Sequence, residues 1–211
     1  MAELPARLPI FPLTGALLLP GARLPFNIFE PRYLAMTEAA LGDGRLIGMI
    51  QPLEGKGDGG DPPLYKTGCA GRIVEFRESG DGRYLIVLEG VSRFDVIAEP
   101  PRTELFRRVT PGWARYAIDR ENAEVEGVDR QRLVAALGPF LQRRGVGGDV
   151  SAATSMPLLR LVNAVAMMAS FAPAEKQALL EAGPAERAAL LTQLVEMALL
   201  AGMPEDAPQR H

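Results

Sequence analysis

The chain has 211 residues, of which 47% are hydrophobic and 23% are charged, and its formal net charge is -3. A chain of this length and composition forms one large domain or two small ones, needs no disulfide or structural metal to fold, and is not disordered as a whole. The negative net charge argues against a protein dominated by nucleic-acid binding.

Cysteine and histidine each occur once. Cys69 has no partner for a disulfide, which fits a reducing compartment, and we expect a cytoplasmic protein. His211 is the last residue, which excludes a histidine-dependent triad and zinc sites of the usual Cys/His spacing. We predict no catalytic residue, no metal and no cofactor. No apolar run is long enough for a transmembrane helix, and Pro9, Pro12 and Pro20 argue against a signal peptide.

The first half of the chain carries the signals of short strands and turns. Ser79–Gly82 predicts a hairpin turn, and Glu89-Gly90 predicts a second break. One helix interrupts the strands, because Pro31 suits a first helical position and Gly42 suits the end. Several short strands at this spacing indicate a small barrel or sandwich. Apolar runs predict the strands at 8–11, 16–19, 46–50, 72–78, 84–88 and 94–97.

A glycine-rich segment at 53–63 superficially resembles a phosphate cradle. The P-loop needs a glycine five residues before a Gly-Lys pair, and Ile50 stands at that distance from Gly55-Lys56. No serine or threonine follows Lys56. We therefore predict a flexible surface loop that binds no nucleotide.

From about residue 127 the apolar residues recur with a helical period, which predicts four helices. Pro139 lies inside the first helix, so we expect a kink or break near Gly138. Pro173 and Pro184 open the third and fourth helices. The polar tail from Pro204 should be frayed. The apolar stripes lie at 133–141, 158–169, 179–180 and 190–198.

Seven short runs occur in a fixed order along the chain. The first five are Leu8-Pro9-Ile10-Phe11-Pro12-Leu13, Leu19-Pro20-Gly21, Leu24-Pro25-Phe26-Asn27-Ile28-Phe29-Glu30-Pro31-Arg32-Tyr33, Gly68-Cys69-Ala70-Gly71 and Asp81-Gly82-Arg83-Tyr84, and the two later ones are Gly90-Val91-Ser92-Arg93-Phe94 and Glu175-Lys176-Gln177-Ala178-Leu179-Leu180-Glu181. The first five runs resemble the N-terminal substrate-binding domain of Lon-type ATP-dependent proteases. The two later runs are similar to that family's stand-alone bacterial members.

The resemblance implies an α+β fold. Residues 1–116 are expected to form a PUA-like β-barrel with a short helix. Residues 117–204 are expected to form a helical bundle, and 205–211 a flexible tail. The strand-rich first half and helical second half agree with this expectation.

The resemblance also implies a function. In the full protease, an ATPase module and a Ser-Lys peptidase module follow this domain, and we find the motifs of neither. A Ser-Lys dyad needs a lysine held beside a serine, and none of Lys56, Lys66 and Lys176 stands in such a motif. We therefore predict a non-enzymatic module that binds unfolded or damaged polypeptide on apolar surface, as an adaptor, competitor or holdase.

Three features have both a structural and a functional interpretation. Phe29–Tyr33 is either a recognition surface or a strand-to-helix junction, and we favour the junction. Arg93 is either an exposed anchor or, as we favour, a strand residue with a surface charge. Cys69 lacks an activating histidine, so we favour a small buried side chain over a reactive thiol.

The methionines of the helical half suggest adaptable apolar surface. We favour a core position for Met168, whereas Met167, Met197 and Leu200 lie off the main stripes. The predicted substrate-binding residues are Phe29, Arg32, Tyr33, Arg93, Met167, Met197 and Leu200.

The expected partners are unfolded polypeptides or a protease or chaperone, with no membrane contact. The apolar last helix leaves self-association as a homodimer open. The alternative function is an RNA-binding PUA-like module that uses the locally basic segment 102–120. The acidic net charge weighs against nucleic acid, since phosphate contacts supply most non-specific affinity. The arginines of that segment are Arg102, Arg107, Arg108, Arg115 and Arg120.

Overall fold

The computed structural model describes residues 4–53, 61–120, 127–143 and 156–201. The glycine-rich segment around Lys56 and the polar tail from Pro204 fall largely outside these residues. The chain divides into two compact units, Met1–Ala123 and Glu124–His211. Among the described residues, the strands lie in unit 1 and four helices lie in unit 2, so the architecture is α+β.

In the part of unit 1 that the structure describes there are six strands, one α-helix and one 3₁₀-helix. The helix begins at Pro31 and ends at Gly42, as predicted. Its elements are β1 (Leu8–Pro12), β2 (Arg23–Ile28), α1 (Pro31–Gly42), β3 (Leu46–Ile50), β4 (Thr67–Glu78), β5 (Tyr84–Ala98), β6 (Arg107–Gly112) and the 3₁₀-helix Ala114–Arg120.

The strands form one mixed sheet in the order β2-β5-β4-β3-β1-β6, and β6 pairs with β5 as well as with β1. The strand pairings therefore form a closed ring that consists of β1, β3, β4, β5 and β6. Strand β2 pairs with β5 outside this ring. The β1–β3 pair is parallel and the other pairs are antiparallel. Helix α1 lies in the connection between β2 and β3.

Close packing explains three of the glycines in the sheet. The ring of Phe94 is buried inside the ring of strands, and a Cβ on Gly48 or Gly68 would lie within 3 Å of it. A Cβ on Gly90 would lie 2.1 Å from the carbonyl oxygen of Leu19. The core around Phe94 consists of Leu8, Ile10, Leu46, Ile50, Ala70 and Val109.

Two predictions about the strands were wrong, and both concern the close approach of Leu19 to Gly90. The run 16–19 forms no strand, although Leu17, Leu18 and Leu19 are buried. The carbonyl of Leu19 lies against the backbone of Gly90. The predicted break at Glu89-Gly90 does not occur, because β5 continues through it with a change of register that leaves Val91 unpaired. Glycine serves there as a point of close approach and not as a turn.

Unit 2 contains the helices α2 (Arg130–Arg143), α3 (Leu158–Met168), α4 (Pro173–Glu181) and α5 (Pro184–Ala201). Helix α5 contacts each of the other three. The predicted break near Gly138 is absent, because α2 continues through Pro139. The buried guanidinium of Arg187 donates hydrogen bonds to Asn163 Oδ1 and to two carbonyl oxygens at the end of α4, and so links three helices.

Candidate substrate-binding surfaces

The segment Phe29–Tyr33 is a strand-to-helix junction, as we favoured. Phe29 follows β2 directly and is 57% exposed. The guanidinium of Arg32 pairs with Glu30 at 2.8 Å and lies 4.4 Å from the ring centre of Tyr33. Tyr33 itself is buried. Only Phe29 and Arg32 of the three predicted residues are therefore open to solvent.

The burial of Tyr33 has a clear physical basis. Its ring lies 4.4 Å from that of Phe11, and its hydroxyl donates to the carbonyl of Pro12 at 3.3 Å. Burial raises the pKa of the Tyr33 hydroxyl above its usual value. Tyr33 thus holds the first turn of α1 against β1.

Arg93 is neither an exposed anchor nor a surface charge, so both sequence interpretations were wrong. Its guanidinium is 2% exposed and binds the carboxylate of Asp119 through two nitrogens, with the shortest contact at 2.7 Å. The same guanidinium lies 4.5 Å from the ring centre of Tyr116. The 3₁₀-helix supplies both partners, which are distant from Arg93 in sequence.

The outer face of β2, β5 and the end of β4 forms a shallow concavity of about 600 Å³. Two rows of register partners wall it, namely Pro25–Val87–Glu75 and Asn27–Leu85–Arg77. The row between them forms the floor with its backbone, because the side chains of Ile86 and Phe26 point to the other face. The walls combine apolar side chains with one charge of each sign.

Phe76 is a surface residue that sequence reasoning missed. It is 40% exposed, and its ring meets that of Tyr84 edge to face at 5.1 Å. The Tyr84 hydroxyl donates to Glu38 Oε1 of α1 at 2.7 Å, and this hydrogen bond raises the pKa of Tyr84. An aromatic residue inside an alternating strand pattern usually belongs to the core, so no local signal marked Phe76.

The apolar surface of unit 2 differs from the predicted one. Met168 is 62% exposed, so its predicted core position was wrong, because α3 ends there and the chain becomes extended at Ala169. Met167 is only half-buried. Met197 and Leu200 are 53% and 88% exposed. They continue an uncharged stripe of exposed residues along α5.

Carboxylates neutralise most of the arginines in the segment 102–120. Four of its five arginines lie within ion-pair distance of a carboxylate, which weakens the positive field that phosphate binding requires. The pairs are Arg102–Asp61 at 2.6 Å, Arg107–Glu99 at 2.6 Å, Arg108–Glu104 at 2.6 Å and Arg115–Asp95 at 3.7 Å.

Cys69 is buried, as predicted. Within the described ranges, no group of three or more His, Cys, Asp or Glu side chains could hold a metal ion. None of the helices described is both long and apolar enough to span a membrane.

Similarity to known proteins identifies the family of this chain. The family model for the ATP-dependent protease La (LON) substrate-binding domain matches residues 7–143, from β1 to the end of α2. The chain is 32% identical over 133 residues to a Lon protease of Anaeromyxobacter dehalogenans and 29% identical over 134 residues to Lon protease 2 of Myxococcus xanthus. Each alignment covers 62% of this chain but 16% of the relative, so the similarity concerns a small part of those proteins.

Two solved structures share the fold. The Lon N-terminal domain protein from Xanthomonas campestris aligns with a TM-score of 0.62 at 24% identity, covering 94% of this chain and 99% of that one. The N-terminal domain of the Mycobacterium avium complex Lon protease aligns with a TM-score of 0.64 at 18% identity, covering 90% and 98%.

Proposed function

The chain belongs to the Lon substrate-binding domain family, and on this premise we propose that it is a non-catalytic module that captures unfolded or damaged polypeptide on apolar surface. In this role it acts as a holdase, or as an adaptor that passes polypeptide to a protease or chaperone. Membership of this family supports a role in substrate recognition, whereas the non-catalytic, holdase and adaptor roles are part of the proposal.

One observation supports the binding role most directly. Within the region that the family model matches, Phe29 and Phe76 expose aromatic rings, and the outer face of the sheet holds a concavity whose walls combine apolar and charged side chains. Contiguous exposed apolar surface is typical of interaction sites, and aromatic residues are enriched there. We propose Phe29, Arg32 and Phe76 as contacts in unit 1, and Met197, Leu200 and the half-buried Met167 as contacts in unit 2. The burial of Tyr33 and Arg93 favours a supporting role for both.

The architecture admits a finer description as well. We infer that the closed strand pairings correspond to the PUA-like barrel that the resemblance implies, and that the helices of unit 2 correspond to its helical bundle. Both solved structures with a similar fold support this inference. The predicted domain boundary at 116/117 remains a proposal beside the division after Ala123.

Fluorescence anisotropy of a labelled, reduced and carboxymethylated lactalbumin, titrated with this protein, tests the proposed function. Because apolar burial supplies the binding free energy at about 25 cal/mol per Å², we expect saturable binding that changes little between about 50 and 200 mM salt. Absence of saturable binding at either salt concentration would contradict the proposal.

The same titration with a labelled single-stranded RNA tests the alternative of an RNA-binding module. The ion pairs along the segment 102–120 support an expectation of weak binding that disappears at the higher salt concentration. RNA binding tighter than polypeptide binding would reverse the order of the two functions.

The non-catalytic character is tested by incubating the same unfolded polypeptide with the protein and following it by gel electrophoresis. We expect no cleavage with or without ATP. Fragments that disappear with a serine-hydrolase inhibitor would show a peptidase and contradict this part of the proposal.

A further inference from the structure

Strand β4 has a free edge at its C-terminal end. Its pairing with β3 ends at the pair Leu46–Arg72, whereas its pairing with β5 continues to the pair Glu78–Tyr84. The last contact on the β3 side is the hydrogen bond from the Ile73 amide to the Arg45 carbonyl, at 2.8 Å. Among the described residues, positions 75–78 therefore pair with β5 alone.

The hydrogen-bonding register shows which backbone groups face outward. The Ser79 amide donates to the Arg83 carbonyl, so residues 79 and 83 form a hydrogen-bonded pair. Because such pairs alternate in an antiparallel ladder, Arg77 also bonds to β5, whereas Phe76 and Glu78 direct their N–H and C=O groups away from it. The pairing of β5 with β2 leads independently to the same assignment, since the Gly90 amide donates to the Ala22 carbonyl.

Strands β2, β5 and β4 pair side by side in this region, and β2 forms the edge opposite to β4. The β2 edge differs from the β4 edge because it contains a proline. In β2 the residues whose backbone groups face outward are Arg23, Pro25 and Asn27, by the same alternation. Pro25 has no N–H, so it interrupts the row of donors and disfavours the addition of another strand. The edge of β4 carries no proline between Ile73 and Glu78.

The free edge also carries an apolar contact. A residue that pairs with Phe76 would share its face of the sheet, and Phe76 is 40% exposed beside Tyr84 there. Glu75 and Arg77 point to the other face and carry one charge of each sign. Together they therefore favour neither a positive nor a negative charge in the bound segment. The edge thus provides backbone hydrogen bonds together with one apolar selection position, which is the pattern of strand-addition sites.

We propose that the edge of β4 at Phe76–Glu78 binds an extended segment of an unfolded polypeptide as an added strand, with an apolar residue opposite Phe76. This inference rests on the proposed function and names the mode of binding. A second copy of the chain fits less well, because the free stretch 75–78 spans only about 13 Å. An edge of that length contributes little of the roughly 1,000 Å² that a stable dimer buries.

Backbone methylation of a short peptide tests this mode directly. The probe is a fluorescein-labelled peptide of alternating threonine and valine with one central phenylalanine. Two further versions carry N-methyl groups on alternate amides, one set on each edge of the extended peptide. If the peptide adds as a strand, N-methylation of one edge weakens binding about tenfold or more, while N-methylation of the other edge changes it less than about threefold.

A matched pair of variants tests the same edge from the side of the protein. Glu78→Pro removes one outward N–H and leaves the bonds of Arg77 and Ser79 to β5 intact, whereas Glu78→Thr keeps the N–H and removes the same charge. We expect about tenfold weaker peptide binding for Glu78→Pro and nearly unchanged binding for Glu78→Thr. Equal losses in both variants would assign the effect to the side chain and overturn the proposal.

The outcomes separate this proposal from the proposed function. Peptide binding that is equally sensitive to both N-methylated versions overturns strand addition and leaves polypeptide binding standing. Binding of the carboxymethylated lactalbumin without any binding of the short peptide does the same. If neither probe binds, both proposals fail. A dimer in analytical ultracentrifugation that Glu78→Pro disrupts, while N-methylation has no effect, would identify a second copy as the occupant.

Discussion

At the scale of single residues, Arg93 shows how a charged side chain becomes part of the core. It follows Gly90-Val91-Ser92 on β5, where its own neighbours in sequence suggest an exposed strand position. The 3₁₀-helix brings Asp119 within 2.7 Å of its guanidinium and Tyr116 beneath it. A buried charge is tolerated when its partner satisfies both its charge and its hydrogen bonds.

A double-mutant cycle at this pair tests the structural role. We expect Asp119→Ala to lower the free energy of unfolding by about 3 to 5 kcal/mol, because it leaves a buried guanidinium without its carboxylate. The same substitution in an Arg93→Met background should cost clearly less. Urea unfolding monitored by the fluorescence of Trp113, the only tryptophan, measures both values. Additive losses would show that the two residues do not interact, and a folded Arg93→Met variant should retain its affinity for unfolded polypeptide.

Tyr33 predicts a dependence of stability on alkaline pH. Burial raises the pKa of its hydroxyl in the folded chain. A tyrosine in the unfolded chain ionises at about pH 10. Above that pH the unfolded state therefore holds fewer protons than the folded state. Stability is therefore fully present below this pH and falls as the pH rises through the folded pKa. Urea unfolding between about pH 9 and 11 should show a shallower decline for Tyr33→Phe. An identical decline in both proteins would contradict the role of Tyr33.

At the scale of secondary-structure elements, the irregular segment 17–19 and strand β5 depend on each other. The segment is buried without forming a strand, and its Leu19 carbonyl lies against the backbone at Gly90. The Gly21 amide donates to the Gly90 carbonyl at 2.8 Å, and the Gly90 amide donates to the Ala22 carbonyl at 2.9 Å. Because the amide and the carbonyl of Gly90 both bond to the residues that follow this segment, neither the segment nor β5 can move away without losing hydrogen bonds.

Gly90→Ala tests this close approach. The new Cβ would lie 2.1 Å from the Leu19 carbonyl oxygen, so we expect a loss of at least about 2 kcal/mol in the free energy of unfolding. Gly80→Ala is the matched control in the β4–β5 turn, where a Cβ meets nothing within 4 Å, and it should change stability by less than about 1 kcal/mol. Urea unfolding of the two variants gives the comparison, and equal stability would show that the segment yields to the methyl group.

At the scale of the whole molecule, both units present exposed apolar side chains. Unit 1 carries the concavity and Phe76, and the family model matches this unit from β1 onward. Unit 2 carries Met197 and Leu200 on the exposed stripe of α5. A long unfolded polypeptide offers many apolar segments, whereas a short peptide offers one, so the two ligands distinguish the contribution of each unit.

The full-length variant Met197→Glu/Leu200→Glu tests unit 2. We expect about tenfold weaker binding of carboxymethylated lactalbumin, because two charges replace apolar contacts, and unchanged binding of the short peptide at β4. Replacing the neighbouring exposed Gln193 with Glu provides a control that adds charge without removing apolar surface. Anisotropy titrations measure all three proteins. Unchanged affinity for lactalbumin in the folded double variant would remove Met197 and Leu200 from the binding surface.

Features that depend on local chemistry could be predicted from the amino-acid sequence alone. Pro31 and Gly42 marked the ends of α1, Gly82 with its φ of +78° formed the predicted hairpin turn, and Pro173 and Pro184 opened α4 and α5. Each signal acts through the backbone of the residue itself or through its immediate neighbours. The short family runs added the α+β fold and the substrate-recognition role.

Which side chains are buried and which strand edges are open depends on tertiary contacts. The burial of Arg93 depends on Asp119, which lies 26 residues further along the chain. The exposure of Phe76 and the free edge of β4 depend on where the pairing between β3 and β4 ends. The irregular path of 17–19 depends on Gly90. These contacts join residues that are distant in sequence, and their energies depend on packing and on shared hydrogen bonds that a local pattern does not encode.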